Sequence, residues 1–246
     1  MRKIMDKRDR DDNLVVLLMG KKRAGKNTAA RVIRERMEGE EGWVVQEFAF
    51  GDELRRHLST LNPIVGMTND EVPDGRWPFF YTQPLRWNDA VERYGYEAAK
   101  SSFPEMRRLM QTYGTEVVRD RVNDNYWAEY VQRQVVQFNL EANGNGFKSL
   151  AIITDARFNT ELDVFGYRCY DLGTVEVLGV TRPDVDDGDG HASNADLDTI
   201  IGPEEFIVSI VNNSGTLEEF EEKVRWIWQG IATRKNIPTK KESLTG

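Results

Sequence analysis

The sequence predicts an α/β fold in which helices cover both faces of a parallel β-sheet. Short apolar runs that suit buried strands alternate along the chain with amphipathic stretches that suit helices. A glycine-bounded loop follows the first apolar run and leads directly into the first amphipathic stretch. The last amphipathic stretch opens with a capping box formed by Thr216 and Glu219. Together these three observations indicate a three-layer α/β domain.

Apolar runs predict five strands, and helical periodicity predicts the helices that connect them. The strands are residues 14–19, 43–50, 149–154, 175–180 and 206–211. Helices cover 28–37, 51–61 and 127–140, and two more begin at Pro104 and Thr216. Residues 62–83 are rich in proline, glycine and aromatic residues without clear periodicity, so we expect an ordered insertion there.

The composition is that of a globular protein without membrane spans. The chain has 246 residues, of which 39% are hydrophobic and 30% charged, which suits one domain with insertions. No apolar run approaches the ~20 residues of a membrane span, and residues 1–13 lack the apolar segment of a secretory signal. Cys169 is the single cysteine, so an intrachain disulfide is excluded and a cytoplasmic location is expected. Residues 1–12 and 232–246 are polar, and we expect both ends to be flexible.

The distribution of charge favours a small anionic ligand. The net charge of −8 argues against a protein that coats nucleic acid. Basic residues cluster locally, near the glycine-bounded loop and between Arg107 and Arg121. Local cations in an acidic chain suit a small anion better than a polyanion.

The glycine-bounded loop, Gly20-Lys21-Lys22-Arg23-Ala24-Gly25-Lys26-Asn27-Thr28, has the arrangement of a phosphate-binding P-loop. Glycines let several backbone N–H groups point at one phosphate cluster, and the following helix adds its positive dipole end. Lys26 would reach the β- and γ-phosphates of a nucleotide. The strict pattern has Ser or Thr directly after this lysine, whereas here Asn27 intervenes before Thr28, as in nucleoside monophosphate kinases. The alternative is a surface turn, which the position between a strand and a helix disfavours.

Polar residues also follow the later strands, at the sheet edge where the loop is expected. Asp155 is placed to hold Mg²⁺ or its water shell, and Arg157 is placed to bind a phosphate with its guanidinium. The alternative is a helix-capping aspartate and a surface arginine. Asn213 lies in a turn after the fifth strand that is placed to contact a purine, unless it is an ordinary Asn–Gly turn.

A polar, glycine-rich stretch after the fourth strand predicts a mobile lid over residues 182–199. Arg182 stands at its base and is expected to close over the transferring phosphoryl group. His191 has no partner of metal-ligand type near it in the sequence, so we interpret it as a lid residue.

The helix that begins at Pro104 predicts one apolar and one polar face. Met106, Leu109, Met110, Tyr113 and Val117 share the apolar face at a spacing of 3.6 residues. The opposite face carries a polar row of Arg108, Gln111, Thr115 and Arg119. A solvated helix face is the commoner explanation of such a row. Gly114 weakens the helix by ~1 kcal/mol, so the helix is expected to bend or end there.

Several blocks of the sequence resemble the bacteriophage deoxynucleoside monophosphate kinases, a family of the P-loop nucleoside monophosphate kinase superfamily. The blocks that carry the resemblance are residues 20–28, 48–55, 94–100, 109–116 with Arg119 and Trp127, 155–159, Arg182-Pro183 and 191–193. The resemblance spans about residues 14–224, and the Gly-Thr-Glu and Asp-x-Arg-Phe blocks are its most specific parts. The family carries an acidic residue where Asn27 stands.

The resemblance implies a P-loop NTPase core with a parallel five-stranded sheet, a helical acceptor-binding insertion over 62–148 and a short lid, within one kinase domain over 13–231. It implies transfer of the γ-phosphoryl group of ATP to a 2′-deoxynucleoside 5′-monophosphate, with Mg²⁺ held at Asp155. Lys26, Arg157 and Arg182 would be catalytic. ATP-binding residues would be Gly20, Arg23, Gly25, Lys26, Asn27, Thr28 and Asn213. Acceptor-binding residues would be Lys22, Asp52, Leu54, Arg55, Arg108, Gln111, Thr115, Glu116, Arg119, Trp127 and Arg157.

Two other functions stay open on the sequence alone. Dephospho-coenzyme A kinase shares the loop and the core, although the Gly-Thr-Glu block favours the phage kinases. A P-loop module that binds ATP without a small acceptor would leave the polar row unexplained. A homodimer is plausible from the family resemblance, and neither a nucleic acid nor a membrane is an expected partner.

Overall fold

The computed structural model describes residues 12–71, 80–157, 159–167, 172–183 and 207–237. Most of the predicted lid, including His191, lies outside the described residues. The chain divides into two compact units. We call Met1–Phe50 with Ala128–Gly246 the sheet unit, and Gly51–Trp127 the helical unit.

The described elements alternate between strands and helices over most of the chain. The strands are β1 Asn13–Met19, β2 Trp43–Phe48, β3 Ile64–Glu71, β4 Phe80–Arg86, β5 Lys148–Ala156, β6 Thr174–Thr181 and β7 Ile207–Asn212. The helices are α1 Lys26–Met37, α2 Phe50–Leu61, α3 Trp87–Tyr94, α4 Tyr96–Ser102, α5 Pro104–Gln111, α6 Tyr126–Gly144, α7 Asn159–Tyr167 and α8 Leu217–Arg234. A π-helix, Thr112–Arg119, follows α5 directly.

The sheet unit contains a five-stranded parallel sheet in the order β2-β5-β1-β6-β7. All seven residues of β1 are buried, as expected of a central strand. Met19, the last residue of β1, pairs with Ala156 of β5 and with Gly179 of β6. The carboxyl ends of these three strands therefore meet at one edge of the sheet, directly before the glycine-bounded loop.

Helices cover both faces of this sheet, which confirms the predicted α/β core. Leu14, Val16 and Leu18 of β1 belong to a buried cluster with apolar side chains of α1 and α8. The alternate residues Val15 and Leu17 point to the other face and are also fully buried. The capping box of α8 is present, since the Glu219 N–H donates to Thr216 Oγ1 and the Thr216 N–H donates to Glu219 Oε2.

The ends of two elements differ from the predictions. β2 ends at Phe48 because Phe50 already begins α2. At the carboxyl end of the chain, α8 continues to Arg234, and Ile237 is only 6% exposed. Arg234 pairs with the buried carboxylate of Glu176 at 3.3 Å, which holds this segment against β6. The ordered chain therefore extends beyond residue 231, where the flexible tail was expected to begin.

The helical unit contains an antiparallel hairpin and the helices α2 to α5 with the π-helix. The hairpin pairs β3 with β4, in the stretch where no strand was predicted. Met67 is 57% exposed and the β3 residues beyond it are polar, so the strand lacks a clear apolar alternation. A small apolar cluster that includes Leu58, Leu85 and Trp87 forms the core of this unit.

The π-helix replaces the bend that was expected at Gly114. A Cβ atom added at Gly114 would lie 2.8 Å from Leu54 Cδ2, so a larger residue there would displace the Leu54 side chain of α2. The i→i+5 hydrogen bonds of a π-helix widen the turn, and the spacing of 3.6 residues no longer applies. Val117 is accordingly 40% exposed, although the α-helical pattern placed it on the apolar face.

Candidate active site

The glycine-bounded loop takes a conformation that its two glycines make possible. Gly20 has a φ of 152° and Gly25 a φ of 116°, values that residues other than glycine rarely adopt. A Cβ atom at Gly20 would lie 2.3 Å from the Val180 carbonyl oxygen, and one at Gly25 would lie 2.7 Å from Asn213 Nδ2. The loop is therefore packed tightly against β6 and the residues that follow β7.

The helix α1 begins at Lys26, directly after the loop, with Gly25 at its N-cap position. Because glycine has no side chain, it offers no oxygen to the first N–H groups of the helix. An anion in the loop would meet these N–H groups and the positive end of the helix dipole. The geometry is that of a phosphate-binding loop.

Lys26, the first residue of α1, is buried, with 7% of its surface exposed. Its Nζ donates hydrogen bonds to the carbonyl oxygens of Gly20 at 2.6 Å and Lys21 at 2.9 Å. Burial and, to a smaller extent, the positive charge of Arg157 lower the pKa of Lys26 from 10.5 to about 8, although the Asp155 and Glu161 carboxylates act in the opposite direction. The charged form of Lys26 is therefore less stable in the loop than it would be in water.

Asp155 and Arg157 lie at the carboxyl end of β5, as predicted, and both act electrostatically on Lys26. The Phe50 N–H donates to Asp155 Oδ1 at 2.8 Å, so this carboxylate also caps the first residue of α2. The Arg157 N–H donates to Glu161 Oε2 at 2.6 Å, and Glu161 is buried. Glu161 was not predicted, because it lies in the first turn of α7, a helix that the sequence patterns did not reveal.

Asn213 forms hydrogen bonds with the glycine-bounded loop and with the end of β6. Its Nδ2 donates to the Ala24 carbonyl oxygen at 2.7 Å, and its backbone N–H donates to the Thr181 carbonyl oxygen at the same distance. The Asn213 side chain therefore holds the loop against the turn that follows β7. Its contact with a purine stays a prediction. Arg182 follows β6 and is exposed.

Two of the predicted acceptor cations have local partners in the helical unit. Arg55 forms an ion pair with Asp52, and its guanidinium lies 5.0 Å from the ring centroid of Tyr96. Burial raises the pKa of Tyr96 above its ordinary value of 10.0. Arg108 is exposed and pairs with Glu105 at 2.5 Å. Both arginines are therefore engaged with carboxylates of their own helices.

The predicted polar row is not uniform in its exposure. Thr115 is exposed and Gln111 is half-buried. The Arg119 side chain is only 10% exposed and its Nε lies 3.3 Å from Asp124 Oδ1. An evenly solvated α-helical face would expose all of these side chains to a similar degree. The π-helical turn between Gln111 and Arg119 explains the difference, since it changes the direction in which each residue points.

A sequence profile described as deoxynucleotide monophosphate kinase matches residues 94–224, which is more than half of the chain. The chain belongs to the deoxynucleotide monophosphate kinase family. A comparison with curated proteins gave no match. Membership makes the chain a phosphotransferase that acts on nucleotides, and it confirms the family resemblance.

The residues matched by the profile include parts of both units of this kinase. It includes the polar row, Asp155, Arg157 and Asn213, whereas the P-loop precedes residue 94. The assignment of the P-loop therefore depends on its sequence motif and geometry. Among the described residues, no helix of the kinase is long and apolar enough to cross a membrane.

The few carboxylates near the P-loop of the kinase suit a metal ion that binds together with the phosphates of a nucleotide. In the described part of the chain, no cluster of three or more His, Cys, Asp or Glu residues could hold a metal ion. Mg²⁺ usually retains waters and binds one or two carboxylates together with substrate phosphates. A single carboxylate such as Asp155 fits that coordination.

The helical unit of the kinase also contains hydrogen bonds between side chains and neighbouring helices that the motifs did not predict. Trp127, a predicted acceptor residue, is 6% exposed and donates its indole N–H to the Gly114 carbonyl oxygen at 3.0 Å. His57 and Tyr113 join by a hydrogen bond nearby. His57 stood in no recognisable motif, and Glu53 stood only within the block of residues 48–55 that carries the family resemblance. Their i, i+4 spacing in α2 is the signal that could have indicated a pair. The contribution of Trp127 to acceptor binding stays a prediction.

Proposed function

We propose that this kinase transfers the γ-phosphoryl group of ATP to a 2′-deoxynucleoside 5′-monophosphate and so supplies deoxynucleoside diphosphates for phage DNA synthesis. The observation that carries the proposal is the P-loop conformation around the buried Lys26, in a chain that belongs to this kinase family. The family supplies the reaction class, and the loop supplies a place for the phosphates of the donor.

ATP would bind with its phosphates in the loop between Gly20 and Thr28. The first N–H groups of α1 would donate to phosphate oxygens, and Lys26 would exchange the carbonyl oxygens of Gly20 and Lys21 for the β- and γ-phosphates. That exchange replaces neutral hydrogen-bond acceptors with anionic ones, which stabilises the charged form of the buried Lys26 side chain. Arg23 and Asn27 lie in the same loop and are proposed to contact ATP.

Charge neutralisation is the main chemical task of the proposed site. Phosphoryl transfer proceeds through a loose transition state with negative charge on the equatorial oxygens. Lys26 and Arg157 are proposed to stabilise that charge, and Arg182 to approach it when the donor is bound. Mg²⁺, when bound beside Asp155, would neutralise the β- and γ-phosphates.

The acceptor provides its own nucleophile. An oxygen of the monophosphate attacks the γ-phosphorus, the bond from that phosphorus to the β–γ bridging oxygen breaks, and ADP leaves with the electron pair. No protein side chain needs to form a covalent intermediate. The protein has to hold the acceptor in line with the donor, which is a positioning task.

The acceptor is proposed to bind through residues of the helical unit. Arg55 and Arg119 would bind its phosphate, and Gln111 would recognise a base edge with its paired donor and acceptor. In the described structure Arg55 is paired with Asp52 and Arg119 with Asp124, so the acceptor phosphate would have to compete with these carboxylates. The other proposed contacts are Leu54, Arg108, Thr115, Glu116 and Trp127.

A kinetic screen tests the proposal. The purified chain is incubated with ATP, Mg²⁺ and each of the four deoxynucleoside monophosphates, the matching ribonucleotides and dephospho-coenzyme A, and products are separated by chromatography. We expect ADP and a deoxynucleoside diphosphate in equal amounts, and none from the Lys26→Met variant. Phosphorylation of dephospho-coenzyme A alone, or ATP binding without any product, would contradict the proposal.

A further inference from the structure

A chain of hydrogen-bonded side chains joins α2 to the π-helix inside the helical unit. Glu53 is a buried carboxylate, with 4% of the residue exposed. Its Oε1 lies 2.9 Å from His57 Nε2, and His57 Nδ1 lies 3.1 Å from the hydroxyl oxygen of Tyr113. The imidazole thus stands between a carboxylate of α2 and a hydroxyl group of the π-helix.

The Glu53 carboxylate fixes the direction of the hydrogen bond at His57 Nε2, and the protonation state of His57 sets the direction of the one to Tyr113. A carboxylate accepts hydrogen bonds, so Nε2 must carry the hydrogen that points at Glu53. Arg56 also donates to Glu53, from Nε at 2.7 Å and from Nη2 at 2.5 Å, which keeps both carboxylate oxygens in the role of acceptor. In the neutral imidazole Nδ1 is then an acceptor, and the Tyr113 hydroxyl donates to it.

Aromatic packing holds the imidazole in this orientation. The ring centroid of His57 lies 5.4 Å from that of Trp127, and 6.0 Å from those of Tyr113 and Tyr126. Rings on several sides of the imidazole restrict its rotation and so favour one orientation. The side chain of His57 is 21% exposed, so the hydrogen bonds are partly shielded from water.

The π-helix is therefore fixed at two consecutive residues. Tyr113 is bound through its hydroxyl to His57, and the carbonyl oxygen of Gly114 accepts from the indole N–H of Trp127. Gly114 also lies against Leu54 of α2. These contacts lie near the start of the π-helix, where one residue of slippage would turn every later side chain to a new direction.

We infer that His57 is a positioning residue for the acceptor site, because it sets the register of the π-helix against α2. That register places Thr115 and Arg119 relative to the helix that carries Arg55. The inference rests on the proposed function, since these residues are the proposed acceptor contacts. A misplacement of about 1 Å can lower a rate by about a hundredfold, so a residue that never touches the substrate can still control its binding.

Three variants separate the parts of this inference. Tyr113→Phe removes one hydroxyl and keeps the ring. His57→Asn places an amide where Nδ1 stands and keeps the reach to Tyr113, whereas His57→Gln places it where Nε2 stands and keeps the reach to Glu53. Thr60→Ala is the matched control, because Thr60 is exposed on the same helix and its hydroxyl donates only within α2, to the Arg56 carbonyl oxygen.

The measurement is steady-state kinetics with the best deoxynucleoside monophosphate, with KM determined separately for acceptor and ATP. For Tyr113→Phe and His57→Gln we expect an acceptor KM raised about fivefold, as loss of one hydrogen bond would give, and an ATP KM within about twofold of wild type. His57→Asn should lie closer to wild type than His57→Gln, and Thr60→Ala should match wild type. The tautomer is measured independently by ¹⁵N NMR of the His57 ring, where we expect hydrogen on Nε2.

Each outcome decides between the inference and its alternatives. Wild-type activity reports on the proposed function, and the ratio of variant to wild type reports on this inference. An active wild type whose Tyr113→Phe and His57→Gln variants keep the normal acceptor KM would overturn the inference and leave the proposed function standing. Equal changes in both KM values, or a ring that lacks hydrogen on Nε2, would also overturn it by reducing His57 to a general packing residue. A wild type without activity on any monophosphate would overturn both.

Discussion

Deprotonation of Lys26 should weaken ATP binding in a pH range where most lysines stay charged. Burial and the nearby Arg157 lower the pKa of this lysine from 10.5 to about 8 in the described structure. Bound phosphates would favour the ammonium form and raise the pKa again. Binding above pH 8 should therefore take up a proton, because the free loop holds a neutral amine and the complex holds an ammonium group.

The magnitude follows from this pKa. With a pKa of about 8, roughly 90% of the Lys26 side chains are protonated at pH 7 and roughly 10% at pH 9. ATP affinity should then fall about tenfold between these two pH values, which is about 1.4 kcal/mol. The same shift affects folding: the unfolded chain binds more protons between pH 8 and 10.5, so the unfavourable contribution of Lys26 to stability is complete below pH 8 and disappears as the pH rises through that window.

Isothermal titration calorimetry measures both quantities. Titrations at pH 9 in buffers of different ionisation enthalpy should give an uptake of nearly one proton per ATP, and a series from pH 7 to 9 should give the fall in affinity. Lys26→Arg is the matched control, because a guanidinium stays charged throughout and should remove the pH dependence even if the affinity is lower. An affinity that is constant from pH 7 to 9 in the wild type, or an equal slope in Lys26→Arg, would refute the proposed contact between Lys26 and the phosphates.

Three further variants test other parts of the structure. Arg119→Ala should lower kcat/KM for the deoxynucleotide strongly and leave the KM for ATP nearly unchanged; unchanged acceptor kinetics would show that Arg119 only pairs with Asp124. Gly114→Ala should destabilise the protein, whereas at an ordinary helical site the same change would raise the unfolding free energy by ~1 kcal/mol. The reason is that the new Cβ atom would lie 2.8 Å from Leu54 Cδ2. Thermal unfolding measures the effect, and Leu54→Ala in the same chain should restore part of the loss. Thr216→Ala should lower the unfolding free energy by ~1 kcal/mol through loss of the capping box, without a change in kcat; an unchanged melting temperature would argue against the cap.

The sheet and the P-loop could be predicted from the sequence because local patterns determine them. Buried parallel strands are continuous apolar runs, and all seven residues of β1 are such a run. The loop needs glycine at Gly20 and Gly25 for its positive φ values, and those glycines are visible in the sequence. The order of the strands, with β1 between β5 and β6, then brings Asp155 and Arg157 to the same edge.

The helical unit was predicted less completely because tertiary contacts decide its structure. The hairpin of β3 and β4 shows little apolar alternation, and its pairing becomes visible only in three dimensions. Glu161 lies in a helix with no clear apolar stripe, so its contact with the Arg157 N–H could not be anticipated. Trp127 was assigned to the acceptor because of the family resemblance, and the structure reveals its hydrogen bond to Gly114.

The π-helix shows why the polar row was the weakest step of the sequence analysis. A periodicity of 3.6 residues assumes α-helical hydrogen bonds throughout, and that assumption fails between Thr112 and Arg119. A π-helix is rarely stable by itself, so other groups must hold it, and here they are Leu54, His57 and Trp127. These residues are distributed over two helices, and they carry no shared motif. A local departure from regular helix geometry that is maintained by several distant contacts is a frequent property of functional sites. The departure therefore supports the π-helix as the part of the helical unit where acceptor recognition should be tested first.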